Sequence, residues 1–217
     1  MKLSLDIKIN RVIKYLILSD LIFYSGWGLI SPIFAVFVVE KIQGGTVAVV
    51  GIASAIYWIS NSILRIPIGL FLDSRQGEED DFWFLFFGLL IAALVPFGYL
   101  IATYFWHIFL LQAVYGVGMA MTISGWAAIF TRHIDKRKEA FEWGLDGTSV
   151  GIGGGIAGAL GGLIAASFGF KVLFILVGIF GIAGALILLP ILKFLSPRSL
   201  GKGMIFSFKE LFQKEKK

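Results

Sequence analysis

The chain has 217 residues, 58% of them hydrophobic and 15% charged, with a formal charge of +5 and a mean hydropathy of +0.87. Soluble domains carry about a quarter charged residues, so this composition excludes a water-soluble domain, a disordered chain and a nucleic-acid-binding module. With no cysteine and two histidines, thiol chemistry, disulfides, Cys-ligated metals and a His-rich metal site drop out, and no cofactor is expected.

Apolar runs long enough to cross about 30 Å of hydrocarbon predict six spans, at 15–39, 46–72, 82–104, 106–131, 144–167 and 171–195. A cytoplasmic segment, 1–14, precedes them and a basic tail, 196–217, follows. Sixteen Lys and Arg fall in the segments on one side of these spans, against Lys41 and Lys171 on the other, with Arg65 inside a span. By the positive-inside rule both termini are cytoplasmic and the protein is a multi-pass protein of the cell membrane. The net charge then reflects topology and anionic headgroups, not nucleic acid. The first run contains Asp20 and lacks a small-residue cleavage site, so it is not a signal peptide. In the tail, Ile205, Phe208, Leu211 and Phe212 lie beside lysines, and Ser207 and Glu210 have capping-box spacing, which predicts a short interfacial helix.

A charged side chain in hydrocarbon costs about 2.5–3.5 kcal/mol on insertion scales, so each polar residue in a span needs a reason. In the first span Asp20, Tyr24, Trp27 and Ser31 share one helical face. The second offers Ser54, Tyr57, Asn61 and Arg65, and the fourth Gln112, Tyr115, Met119, Thr122 and Trp126. Three polar-aromatic stripes point to a shared aqueous cavity; the alternative is hydrogen bonding between helices or aromatics at the membrane interfaces. Asp20 and Arg65 lie at similar depth, which predicts an ion pair, against the competing reading that each snorkels to the interface.

The fifth span is a different kind of helix. The rows Gly147/Gly151/Gly155 and Gly154/Gly158/Gly162 have small-xxx-small spacing, which predicts close helix packing. The fourth span has its own small row, Gly116, Ala120, Ser124 and Ala128. A phosphate-binding loop at Gly151–Gly155 is excluded, since no Lys-Ser/Thr follows and the segment is in the membrane.

The segment Gly69-Leu-Phe-Leu-Asp73-Ser-Arg75-Gln-Gly77, between the second and third spans, resembles the GxxxD(R)xG signature of the major facilitator superfamily. Gln112 with Gly116-Val-Gly118, the glycine-rich fifth span, Ala157-Gly158-Ala159-Leu160-Gly161-Gly162 and the entry at Phe168-Gly169-Phe170-Lys171 are similar to the same family, over about residues 12–195. Ser74 stands where the family has Arg, Glu78 to Asp81 replace a basic pair, Gln112 takes a position where proton-coupled members have Arg, and Gly158 replaces a proline. These departures bear on antiport and proton coupling, not on the fold.

The resemblance implies an all-α membrane protein, a half bundle of six transmembrane helices in two inverted three-helix repeats. It implies a cavity lined by the first and fourth helices, with the second and fifth facing a partner half. It also implies a cytoplasmic gate of Gly69, Asp73, Arg75 and Gly77, with Asp73 reaching groups near Arg132 and Asp146. The expected function is transport of a small solute by alternating access through a cavity of Asp20, Tyr24, Trp27, Ser31, Asn61, Arg65, Gln112, Tyr115, Met119 and Trp126. That lining suits a neutral or amphipathic solute. The chain is about half the usual family length, so a homodimer or a second six-helix half is expected as partner, within the lipid bilayer. The alternative is a non-transporting or truncated scaffold. An intramembrane serine protease around Ser124 lacks the required later histidine, because none follows His133.

Overall fold

The computed structural model describes residues 9–195; the amphipathic tail expected from Met204 lies outside the described residues. The secondary structure is helical throughout, joined by short turns and one isolated bridge between Gln43 and Tyr104. The helices are α1 (Arg11–Ile30), α2 (Phe34–Lys41), α3 (Val47–Asp73), α4 (Glu79–Tyr99), α5 (Phe105–His133) and α6 (Glu139–Ile187). A 3-10 turn, Ser31–Ile33, joins α1 to α2, where Pro32 removes a backbone donor.

Five stretches are long and apolar enough to cross a membrane, Arg11–Lys41, Val47–Asp73, Glu79–Tyr99, Phe105–His133 and Glu139–Lys193. The expected fifth and sixth spans are continuous here, separated only by Gly169, whose φ of 78° and ψ of 169° interrupt the helix. Contacts on α1 give the direction of each arm. Gly153 meets Leu21 and Ser25, and Gly161 meets the backbone of Leu29, so the first arm rises along α1. In the second arm, Phe180 lies against Gly26 while Gly184 lies against Ser19 and Phe23, so the chain descends again. The Ser19 hydroxyl donates to the Gly184 carbonyl at 2.8 Å. The polypeptide therefore doubles back at Gly169, and one non-helical residue replaces the loop.

The third span ends at Tyr99, short of the expected 104, because the following turn is tied elsewhere. Gln43 N–H donates to Thr103 O at 2.8 Å and Phe105 N–H to Gln43 O at 3.1 Å. His107 Nδ1 accepts from the Tyr104 amide at 3.1 Å, and this fixes the start of α5. At the opposite end, Asn10 caps α1 through Val12 N–H and donates to the His133 carbonyl at 3.1 Å.

Two apolar clusters hold the ends together. One joins Val12, Leu16, Phe82, Phe130 and Ile191, and the other joins Ile30, Phe37, Tyr99, Ile108 and Phe174. Between them, small residues set the helix spacing. A Cβ on Gly88 would stand 2.6 Å from the Gly118 carbonyl oxygen, and one on Gly118 would stand 2.9 Å from the Gly88 oxygen, so α4 and α5 cross backbone to backbone. Gly116 brings α5 within 2.9 Å of the Tyr57 carbonyl of α3, and Gly28 brings α1 within 2.8 Å of the Gly154 carbonyl of α6, measured to the Cβ each lacks.

Candidate functional site

The aromatic and polar faces of α1, α3, α5 and the first arm of α6 converge on two adjoining cavities. The larger, about 710 Å³, is lined by Trp27, Ser31, Tyr57, Gln112, Tyr115 and the glycines Gly154, Gly155 and Gly158. The other, about 490 Å³, lies nearer the end of the bundle that carries Arg132 and holds Asp20, Arg65, Met119, Trp126, Trp143 and Asp146. Tyr24, Tyr57, Trp58 and Val150 line both, so the two are continuous.

Helical periodicity aims the side chains. Tyr24 and Trp27 on α1 and Ser31, which caps its end, lie on one face, and Gln112 and Tyr115 on one face of α5. Where these faces meet, three rings form a pile. Trp27 stacks on Tyr115 at 4.0 Å between centroids, and Tyr115 stacks on Tyr57 at 4.8 Å. Farther along α5, Trp126 stacks on Phe130 at 4.3 Å and meets Trp143 edge-on at 5.4 Å. Offset and edge-to-face rings of this kind contribute about 0.5–1.5 kcal/mol beyond their buried area, which holds the walls in place.

Of the residues expected in the cavity, Asp20, Tyr24, Trp27, Ser31, Arg65, Gln112, Tyr115, Met119 and Trp126 line one or both spaces. Asn61 does not; it is buried where α3 meets Gly116. The expected Asp20–Arg65 pair does not form, and no ion pair among the described residues joins them. Asp20 is buried and has Asp146 and Trp126 as its side-chain neighbours. Arg65 is exposed, on a rim shared with a third space. Both line one space, but Asp20 is engaged by Asp146 and Trp126 while Arg65 stands at its exposed rim.

The glycine rows differ from expectation in the same instructive way. Nothing stands within 4 Å of where a Cβ would lie on Gly147, Gly151, Gly154, Gly155 or Gly162, and at Gly158 the nearest atom, the Gly28 carbonyl oxygen, is 3.6 Å away. Most of these positions face open space; Gly154 alone also meets α1 closely, its backbone lying 2.8–2.9 Å from the Cβ that Gly28 lacks. Gly147, Gly154, Gly155 and Gly158 are the floor of the cavities, where absent side chains leave room. The other close contacts of this arm belong to Gly153 and Gly161.

The expected gate is rearranged as well. Arg132 binds Asp81 at the start of α4, and His133 Nε2 lies 3.0 Å from Glu78 Oε1. Asp73 is exposed and shares with Gly69, Arg65, Ser124 and Arg132 a separate space of about 410 Å³. Arg75 lies over the Phe71 ring at 4.7 Å, and Gly77 turns the loop with a φ of 95°. Asp146, expected at this gate, is in the main cavity instead. Trp143 and Val150, outside the expected set, also line the cavities, and with Asp146 and Gly154 they recur every three or four residues along α6. That period is legible in the sequence, although the glycines between these residues dominate the segment's pattern.

Among known protein families, the Major Facilitator Superfamily matches residues 16–214 of the chain. No curated protein matches it.

Proposed function

The chain belongs to the major facilitator superfamily, and from that premise we propose that it carries a small solute across the cell membrane by alternating access, as one six-helix half of a transporter. Membership makes it a multi-pass membrane protein of a transporter family, not an enzyme family. The observation that carries the proposal is the continuous aromatic-polar space between α1, α3, α5 and the first arm of α6, floored by bare backbone.

The reversal at Gly169 supports six crossings. The stretch Glu139–Lys193 has 55 residues, about 80 Å of straight helix at 1.5 Å per residue. Hydrocarbon is about 30 Å thick, so the doubled-back arms account for two crossings. Packing supports two inverted three-helix repeats. Pairing α1 with α5, α3 with the first arm of α6, and α4 with the second arm maps each major contact onto another: α1 against the first arm onto α5 against α3, and α4 against α5 onto the second arm against α1. The Arg132 end also carries Arg11, Lys14, Lys136, Arg137, Lys138 and Lys193, so it faces the cytoplasm by the positive-inside rule. The space at Gly69, Asp73 and Arg132 is then the cytoplasmic gate, opened and shut as the half rocks against its partner.

The chain has no native cysteine, so single cysteines report cleanly. Ser54→Cys in the larger cavity and Thr131→Cys in the gate space are treated with a membrane-impermeant maleimide from each side. Labelling of Ser54→Cys from either side, with Thr131→Cys protected whenever the far side is open, is the expected result. Labelling of Ser54→Cys from one side alone, whatever solute is supplied, would make the protein a scaffold instead.

A further inference from the structure

We propose that His107 is a proton-released pin at the end of the bundle away from Arg132: its neutral ring clasps the α2–α3 loop to the start of α5, and acid on that side lets the two separate. The clasp itself is independent of the transport reading; only its placement outside the cytoplasm rests on the orientation given there.

The chain has two histidines, and they stand near the first residue and at the last residue of α5. His133, at the inner end, lies against a carboxylate, Glu78. His107 is held in the opposite way. Its Nδ1 accepts the backbone N–H groups of Thr103 and Tyr104, each at 3.1 Å. A ring nitrogen accepts only when it carries no proton, so this geometry requires the neutral ring with its hydrogen on Nε2. The Trp106 ring lies against it, 3.8 Å between centroids, and keeps it in place. Histidine is the side chain whose ordinary titration falls between about pH 5 and 8, and His107 is half-buried, within reach of bulk protons.

One peptide unit turns this cap into a clasp. The Thr103 carbonyl and the Tyr104 N–H belong to the same planar group and point opposite ways. The N–H reaches His107, while the carbonyl accepts from Gln43 N–H at 2.8 Å. Phe105 N–H returns to the Gln43 carbonyl at 3.1 Å, and the Phe105 ring lies 3.0 Å from where a Cβ would stand on Gly44. A proton on Nδ1 sets one donor against two others. The Thr103–Tyr104 plane must turn to separate them, and turning it takes the carbonyl off Gln43. The charges at this end do not offset the conflict. Glu40 and Lys41 pair with each other at 3.8 Å, and neither they nor Lys171 form an ion pair with His107 among the described residues. The Tyr104 ring stands 5.9 Å from that of His107, and a tyrosine ordinarily titrates at about pH 10.

The test uses the full chain in lipid nanodiscs. Amide hydrogen exchange is followed by mass spectrometry in the peptides that hold Gln43 and Phe105, at about pH 8 and pH 5, with exchange times scaled for the intrinsic effect of pH. Protection in the two peptides is expected to fall together by roughly tenfold in acid. Gln43 belongs to the other loop, so its loss distinguishes a released clasp from simple fraying of α5. His107→Gln retains an uncharged acceptor of the kind that closes a capping box, and it should stay protected at both pH values. His107→Arg, a permanent donor, should lose protection already at the higher pH. His133→Gln should respond as wild type does, and its single remaining histidine should show a bare Nδ1 in the ring-nitrogen NMR signals at the higher pH. If His107→Arg fails to fold, His107→Gln carries the test. Unchanged protection at Gln43 in acid, acid loss of protection in His107→Gln, a response abolished in His133→Gln, or a proton on Nδ1 at the higher pH overturns the proposal. Any of these leaves the transport reading to the two-sided labelling of Ser54→Cys, which reads the cavity and not this clasp.

Discussion

Glycine does two opposite jobs in this protein, and a single added methyl group distinguishes them. At Gly118 a Cβ would meet the Gly88 carbonyl oxygen at 2.9 Å and the Ala92 nitrogen at 3.0 Å, both backbone atoms of α4 that cannot step aside. At Gly155 a Cβ would meet nothing within 4 Å. Gly118→Ala should therefore destabilise the bundle by about 1–3 kcal/mol, the usual cost of overpacking, while Gly155→Ala should stay within about 0.5 kcal/mol of wild type. Thermal unfolding of the purified protein in mild detergent checks both. An equal loss for the two variants would mean that the α4–α5 crossing is not set by backbone contact. Gly155→Trp extends the contrast: it should leave the unfolding midpoint near wild type yet block the cavity against any solute.

Among the elements, α6 depends on one residue. A φ of 78° with a ψ of 169° at Gly169 lies in a region essentially closed to side chains, where another residue costs about 1–3 kcal/mol. Nothing crowds the position, so the cost is conformational and not steric. Gly169→Ala is expected to lower the thermal midpoint, and Gly169→Asn should not recover it, since asparagine tolerates the left-handed helical region but not this extended one. Recovery by asparagine would show that the reversal adopts a different backbone. Much of this level was legible in the sequence. The apolar runs located the helices, and Phe168-Gly169-Phe170 marked the right place for a boundary. What periodicity could not supply was rotation about each helix axis. Asp20 and Arg65 line one space yet form no ion pair among the described residues, and Asp146, a gate residue by the family resemblance, lines that same space beside Asp20. Likewise, a glycine row spaced for packing has the same appearance whether a helix or an empty space lies over it. Only the positions of α1 and α3 relative to α6 tell these apart.

For the whole molecule, the question is what closes the cavity on its open side. The space is walled by α1, α5 and parts of α3 and α6, while Trp58, Ile59, Ile63 and Ile66 of α3 and Ile152, Ile156, Leu160 and Leu163 of α6 remain exposed. Lipid could cover those apolar side chains, but not the backbone and carboxylates between them without cost. Buried polar groups facing hydrocarbon are unfavourable by several kcal/mol unless they find partners or water. A second bundle covering α3 and the first arm of α6 would keep the cavity wet and closed to lipid, which is why a homodimer or a second six-helix half is expected. Single cysteines at Gly151 on the open face and at Leu94, an exposed residue of α4, decide it. If the chain pairs with itself through the cavity side, Gly151→Cys should cross-link in native membranes to a product of twice the chain mass, while Leu94→Cys should not. Cross-linking of Gly151→Cys to a distinct membrane protein would instead identify a separate second half. Protein that stays strictly monomeric in mild detergent, forms neither product and still transports in liposomes would show that one bundle closes the path unaided, and the pairing argument would fail.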